Sequence, residues 1–446
     1  DLAPGVKHLM AAHLHPAVAT DGPSEPITRP AIHIAAIASL KLDRNSYPNS
    51  PILYVELARN YVSLGQLKQA ARAFRRALAL APHNRYVLRS AVRFFIHSND
   101  PEAAWFALRS APINDPWILS SKIAVAEILR RPQENIKNAR QLIEAVAPSQ
   151  GTELSASVGT LELAAGSFKQ ARKLFRLSAQ EANDNTVAQL RWAHEAGGIP
   201  FDERLLATEL SFEARTSQSF SSGDWIAAGE NAKLWQLDEP YSSRPATVGC
   251  FISADILRDF SLAEHISTVA LMSMPNDAMI LNNRAYARIQ LGHLDEAEQD
   301  LKLARHQSQT AVSRACLAAT DGCLLYRRGD SAAGAESYRL AIQIAEEEGE
   351  AATVQSAYIH WLAEDLKSGV AASQEEVDVL RKKFSEKEGS FSYMAAVFEA
   401  NVQAVLDERK EGERIQSLVR QGVEQSRAQA QLSISGRQQF KWLLDW

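Results

Sequence analysis

The sequence predicts an all-α fold, a solenoid of stacked helical hairpins, and three observations carry that prediction. Residues 51–84 (PILYVELARNYVSLGQLKQAARAFRRALALAPHN) hold two apolar runs at helical spacing, with Gly65 between them and Pro82 at the end. A stretch of the same form starts at Thr152, and 152 − 51 = 101 is one short of three periods of about 34 residues. The hydrophobic fraction, 46%, is rich in alanine and leucine, which favour helix, and no sustained period-two run marks a strand.

Within residues 51–84, Tyr54, Leu57, Ala58 and Tyr61 share one face of a first helix. Ala70, Phe74 and Ala77 do the same on a second, and the small Ala58 and Ala70 allow close backbone approach. Gly65 accepts the dihedrals of a tight turn. The rings of Tyr61 and Phe74 are both expected to be buried. A single hairpin cannot hide its apolar faces, so the pattern predicts neighbours.

Set against W-x2-L-G-x2-Y…A-x3-F…P, an aromatic replaces the tryptophan and alanine the glycine, and the rest is in place. This stretch resembles a tetratricopeptide (TPR) repeat. The resemblance extends over roughly residues 51 to 350. It implies a right-handed TPR-type solenoid, and a groove lined by first helices that takes a protein or peptide partner.

Taken in order, residues 1–50 form an N-terminal extension with a Pro-rich linker. Seven of the 17 prolines lie at or before Pro51, and residues 19–30 (ATDGPSEPITRP) carry the linker. Residues 31–42 are either a helix shielding the first repeat or part of a mobile arm. The first TPR arm is 51–197. Leu88, Ala91, Val92 and Phe95 continue the register, residues 115–148 are degenerate around Trp117, and Gly159, Gly166, Ala171 and Phe175 restore it. Gly197, Gly198 and Pro200 then break a half-repeat and predict a kink. The second arm is 198–350, with Trp225, Ala228, Phe251, Ala263, Ala285, Gly292, Ala297, Gly329 and Tyr338 in repeat slots. Residues 351–446 form a helical C-terminal cap. It has a helix start at Ser373, breaks at Gly389 and Gly436, and a closing helix with Phe440, Leu443 and Leu444 on one side.

Composition excludes several function classes. A net charge of −5 and a pI near 6.2 argue against a general nucleic-acid binder. Cys250, Cys316 and Cys323 are too few and scattered for a disulfide framework, which places the chain in a reducing, cytoplasmic setting. No stretch approaches the roughly 18 apolar residues of a membrane span. Phosphate-loop, dinucleotide, zinc-protease and serine-hydrolase motifs are all missing, so neither an enzyme nor a cofactor is expected. His8, His13 and His15 fit no metal-site spacing and have no nearby cysteine. The three cysteines are expected to be packing residues.

By the resemblance, the groove of the first arm takes Ile52, Val55, Arg59, Val62 and Ser63, with Arg89 and Arg93 from the next helix. Arg59, Arg89 and Arg93 then form a basic strip suited to an acidic segment or a C-terminal carboxylate. The bland alternative is three exposed arginines in weak surface ion pairs. On the second arm Asn282, Asn283, Tyr286 and Gln290 flank the matching side, and Asn283 stands where the family's asparagine holds a peptide backbone. Val248, Ile252 and Thr320 stand where a chaperone-tail carboxylate clamp needs lysines, so that clamp is not expected. The sequence therefore points to a non-enzymatic interaction scaffold or adaptor, a subunit of a hetero-complex. The alternatives are a sensor whose arms close about residues 197–200 when peptide or effector binds, and an accessory nucleic-acid binder using the arginine strip.

Overall fold

The computed structural model describes residues 28–308, 310–368, 392–403 and 405. Among them every regular element is helical and no strand occurs. Helix α1 (Thr28–Ser46) packs on the first hairpin and buries Ile37 and Leu40 there. Four hairpins follow: α2 (Pro51–Ser63) with α3 (Leu67–Leu80), α4 (Arg85–His97) with α5 (Pro101–Leu108), α6 (Pro116–Ile128) with α7 (Ile136–Ala145), and α8 (Pro148–Ala164) with α9 (Phe168–Ser178). Helix α10 (Asp184–Gly197) has only a 3-10 turn, Glu203–Ala207, after it.

Pairing resumes with α11 (Phe212–Ser222) and α12 (Trp225–Asp238), then α13 (Ser243–Phe251) and α14 (Phe260–Ser273). A π turn, Ile252–Ile256, ends α13. The series closes with α15 (Ala278–Leu291) and α16 (Leu294–Gln307), then α17 (Ala311–Arg327) and α18 (Ser331–Glu347). Helix α19 (Ala351–Ser368) lies on α17 and α18. The chain is a helical solenoid in which the first helices α2, α4, α6, α8 and α10 contact one another in succession.

Short polar residues start these helices. Asn84, Asp115, Asn183 and Asp277 accept backbone N–H bonds at the heads of first helices, and Asp100, Asp224, Asp259 and Asp330 at the heads of second ones. Each such cap contributes about 1 kcal/mol. Phe74, Ala58 and Ala70 are fully buried, and Phe74 reaches the next hairpin, its ring 4.9 Å from that of Phe94. Tyr61 is different: it stays half-buried, with Lys41 Nζ of α1 5.9 Å from its ring centre.

Two glycines let α17 and α18 touch backbone to backbone. A Cβ on Gly334 would lie 2.4 Å from Tyr326 Cδ2 and 2.9 Å from the Gly322 carbonyl oxygen. A helical Gly→Ala change ordinarily gains up to about 1 kcal/mol. Here Gly334→Ala is expected to lose about 1–3 kcal/mol by overpacking, and a raised urea midpoint would refute this.

The solenoid also meets itself. Ser273 Oγ donates to the Ser63 carbonyl at 3.0 Å, joining residues 210 positions apart. Gly65, at φ 67°, closes its turn directly against this contact, where a Cβ would stand 3.0 Å from Pro275 Cδ. At the other end α20 (Ser392–Phe398) and the π turn Glu399–Gln403 pack on α19 and on the π turn Ile252–Ile256. Met394, Val397, Phe398 and Val402 cluster with Trp225, Ile252, Ile256, Ile359 and Leu362. Arg258 donates to Asn401 Oδ1 at 3.1 Å beside them. The features expected at Ser373, Gly389, Gly436, Phe440, Leu443 and Leu444, and the histidines His8, His13 and His15, lie outside the described residues.

Candidate functional site

Arg59 projects from α2, and Arg89 and Arg93 from α4 one helical turn apart, so the helical register brings the three arginines to one inner face. That face is not bare. Arg59 Nη1 donates to Tyr86 Oη at 3.2 Å and pairs with Glu56 at 3.3 Å, while the Tyr86 hydroxyl donates to Glu56. Arg89 pairs with Glu153 of α8 at 3.5 Å and lies over the Trp117 ring at 5.6 Å. Arg93 is only 5% exposed. Glu153 Oε1 accepts from Asn183 at 3.0 Å and from Asn185 at 3.3 Å.

Acidic and aromatic groups from a distant part of the chain complete this interior. Tyr241 belongs to the core of the first hairpins, 8% exposed, and meets the His97 ring edge-on at 5.6 Å. Asp184, Asp238 and Glu239 lie in the same electrostatic field as Arg59, Arg93 and Tyr241. Burial, reinforced by Asp184 and opposed by Arg93 and Arg59, pushes the Asp238 carboxyl up to about 6. Burial raises Asp184 as well, against Arg93. Burial works against the Arg59 charge, but Glu56, Tyr86 and Tyr241 hold its pKa above the ordinary guanidinium value.

Next to the strip runs a buried polar seam. Ser120 Oγ and Ser157 Oγ are 2.6 Å apart, and Gln189 Nε2 donates to Thr160 Oγ1 at 2.9 Å. Lys122 Nζ donates to the Ala111 carbonyl at 2.8 Å, and burial lowers its pKa. Polar side chains on the touching faces of α6, α8 and α10 give this stretch a hydrogen-bonded core where apolar packing is usual.

The second surface centres on α15. Asn282 and Asn283 are adjacent, so about 100° of helical turn separates them and only one can face outward. Asn282 is the one packed inside, 6% exposed, while Asn283 and Tyr286 are half-buried. The structure thus brings Arg59, Arg89 and Arg93 together, and sets Asn282, Asn283 and Tyr286 along α15, where Tyr286 joins a polar chain. Tyr286 Oη lies 3.3 Å from His360 Nδ1, and His360 Nε2 lies 2.9 Å from Asp255 Oδ1. Arg327 donates to Gln290 at 2.8 Å and to Glu364 at 3.2 Å in the adjoining layer.

The Asp255–His360–Tyr286 chain has the connectivity of a hydroxyl, a base and an orienting carboxylate. Its electrostatics run the other way. Burial first, and the Asp255 carboxylate second, push the Tyr286 phenol well above its ordinary value, the reverse of activation. The thiols behave alike: burial takes Cys250 and Cys323 to about 12 and Cys316 to about 11. Cys250 is 2% exposed and fills the first-helix slot expected of it. Among the described residues no group of three or more His, Cys, Asp or Glu side chains is arranged to hold a metal. No described helix is long and apolar enough to cross a membrane.

Sequence reasoning passed over Glu153, Asp184, Asp238, Tyr241, Asp255 and His360. The acidic pair Asp238–Glu239 was visible before Pro240, but nothing local places it opposite arginines about 150 residues earlier. No curated protein matches the sequence. Several solved structures are similar in fold. Yeast Tom70 is 13% identical, with 87% of this chain and 96% of that one covered and a TM-score of 0.33. A tetratricopeptide repeat protein from Parabacteroides merdae is 11% identical, with 69% and 98% covered and a TM-score of 0.26. Naa15/Naa10 bound to HypK-THB is 13% identical, with 87% and 78% covered and a TM-score of 0.23. The family described as tetratricopeptide repeat matches residues 51–84, the α2–α3 hairpin. Residues 51–84 are similar to a tetratricopeptide repeat, and the described residues form a helical solenoid around that hairpin.

Proposed function

We propose that this chain is a non-enzymatic protein-interaction scaffold, a cytoplasmic subunit of a larger complex, which holds a protein or peptide partner on the first-helix faces of its hairpins. The observation that carries this reading is the tetratricopeptide repeat at residues 51–84, set in a series of hairpins whose first helices line up side by side. Asn283 and Tyr286, half-buried on α15, offer an amide and an aromatic face to an extended backbone. Raised thiol and phenol pKa values favour a binding role over a catalytic one, and the reading calls for no cofactor.

Affinity purification of the full chain with quantitative mass spectrometry tests it. A stoichiometric protein partner is expected, and Asn283→Ala should weaken its retention about tenfold, as loss of one backbone hydrogen bond of about 1.4 kcal/mol requires. The circular dichroism of the variant should match wild type. Retention that vanishes with nuclease, or that Asn283→Ala leaves untouched, counts against this reading.

A further inference from the structure

The arginine strip on α2 and α4 already has an occupant, and it comes from the chain itself. Residues 238–241 (Asp-Glu-Pro-Tyr) run from the last residue of α12 into the turn before α13, and that turn enters the interior of the first hairpins. Tyr241 sits among their core residues against His97, and Glu239 is 3% exposed. Arg59 and Arg93 act electrostatically on both Asp238 and Tyr241. The occupant is therefore an acidic pair followed by an aromatic, complementary to a cationic face with an aromatic-lined floor. The ring around it is closed at the rim by the Ser273–Ser63 hydrogen bond and the seating of Pro275 on Gly65. One such bond contributes only about 1 kcal/mol.

We propose that the concave face of α2 and α4 is a docking surface for a partner segment bearing an acidic pair followed by an aromatic residue, with residues 238–241 occupying it in the closed ring. A partner of this chemistry displaces the turn as the hairpins of α12–α14 move away from α2. The inference rests on the scaffold reading and adds the kind of partner and the contact it must break. Because the internal segment is tethered, it competes at high effective concentration, and an external segment sees only the open fraction of molecules.

The test uses a fluorescein-labelled peptide, Leu-Asp-Glu-Pro-Tyr-Ser, copied from residues 237–242, and fluorescence anisotropy with three forms of the full chain. Tyr241→Ala empties the surface. Ser273→Trp wedges the rim open and leaves residues 238–241 intact, which keeps the test decisive if the first variant folds poorly. The peptide is expected to bind the opened variants at least about tenfold more tightly than wild type, the ratio of a mostly open to a mostly closed population. With a photoreactive group at its tyrosine, it should crosslink to α4 near His97. Equal affinity for wild type and both variants, crosslinks elsewhere, or equal binding of the peptide with its acids replaced by amides would overturn the proposal. If the opened variants refuse the peptide while wild type still retains a stoichiometric partner, this inference falls and the scaffold reading stands; if no partner is retained either, both fall.

Discussion

Phe74→Ala is expected to lower the unfolding free energy by about 3–5 kcal/mol, the cost of removing a fully buried ring from a packed core. Phe74 is 0% exposed, with the fully buried Ala58, Ala70 and Ala77 in the same core cluster. These alanines have no side-chain reach with which to fill the space. Its ring also lies 4.9 Å from that of Phe94, so the cavity would open between two hairpins and not only within one. In an array where each repeat leans on its neighbours, both terms fall on the N-terminal end. Hydrogen exchange should show α2–α5 losing protection while α15–α18 keep theirs. Tyr61→Ala is the control: its half-buried ring should cost about 1 kcal/mol or less. Equal losses for the two variants would mean that the hairpin core is not built around Phe74.

The difference between these two rings marks how far the sequence could be read. Helical spacing assigns Tyr61 and Phe74 to packing faces, and both do pack. The covering of each face depends on a third helix, and α1 covers Tyr61 only in part. Local signals were legible throughout. Gly65 makes its turn at φ 67°, Gly198 ends α10 at φ 61°, and capping Asn and Asp residues mark the helix starts. Contacts between residues far apart were not legible. Neither Ser273 nor Pro275 carries a mark that it meets the first hairpin, because that contact follows from the curvature accumulated over the intervening hairpins. The arginine strip shows both sides of this. The face shared by Arg59, Arg89 and Arg93 follows from helical geometry, whereas Asp184, Asp238 and Tyr241 reach it only through the three-dimensional path of the chain. The adjacent Asn282 and Asn283 were separable by helical phase alone, since Leu281 and Ala285 already define the buried side.

Arg93→Met should destabilise the chain by about 3–5 kcal/mol at pH 7, because it removes the cation from a buried group of opposite charges and leaves the acids behind. The pH dependence makes the cause visible. Asp238, with its carboxyl near 6, takes up its proton more readily in the folded chain than in the unfolded one, and Asp184 shifts in the same direction. A raised carboxyl supplies stability that is fully present below the ordinary carboxylate range and is lost as pH rises through its folded value. Wild-type stability should therefore fall between about pH 4 and pH 6 on account of Asp238, and Asp184 adds to the fall in the same direction. Without Arg93 the opposing charge is gone, both carboxyls rise further, and the fall extends to higher pH. The penalty of Arg93→Met should thus be largest near pH 8 and shrink toward pH 5. Asp238→Asn should flatten the profile between about pH 4 and pH 6, since no carboxyl is left at this position to take up a proton there. Urea unfolding of the three chains at pH 5, 6, 7 and 8 would decide the matter. A pH-independent Arg93→Met penalty would show that this arginine serves by packing its stem, with its charge contributing nothing to the closed interior.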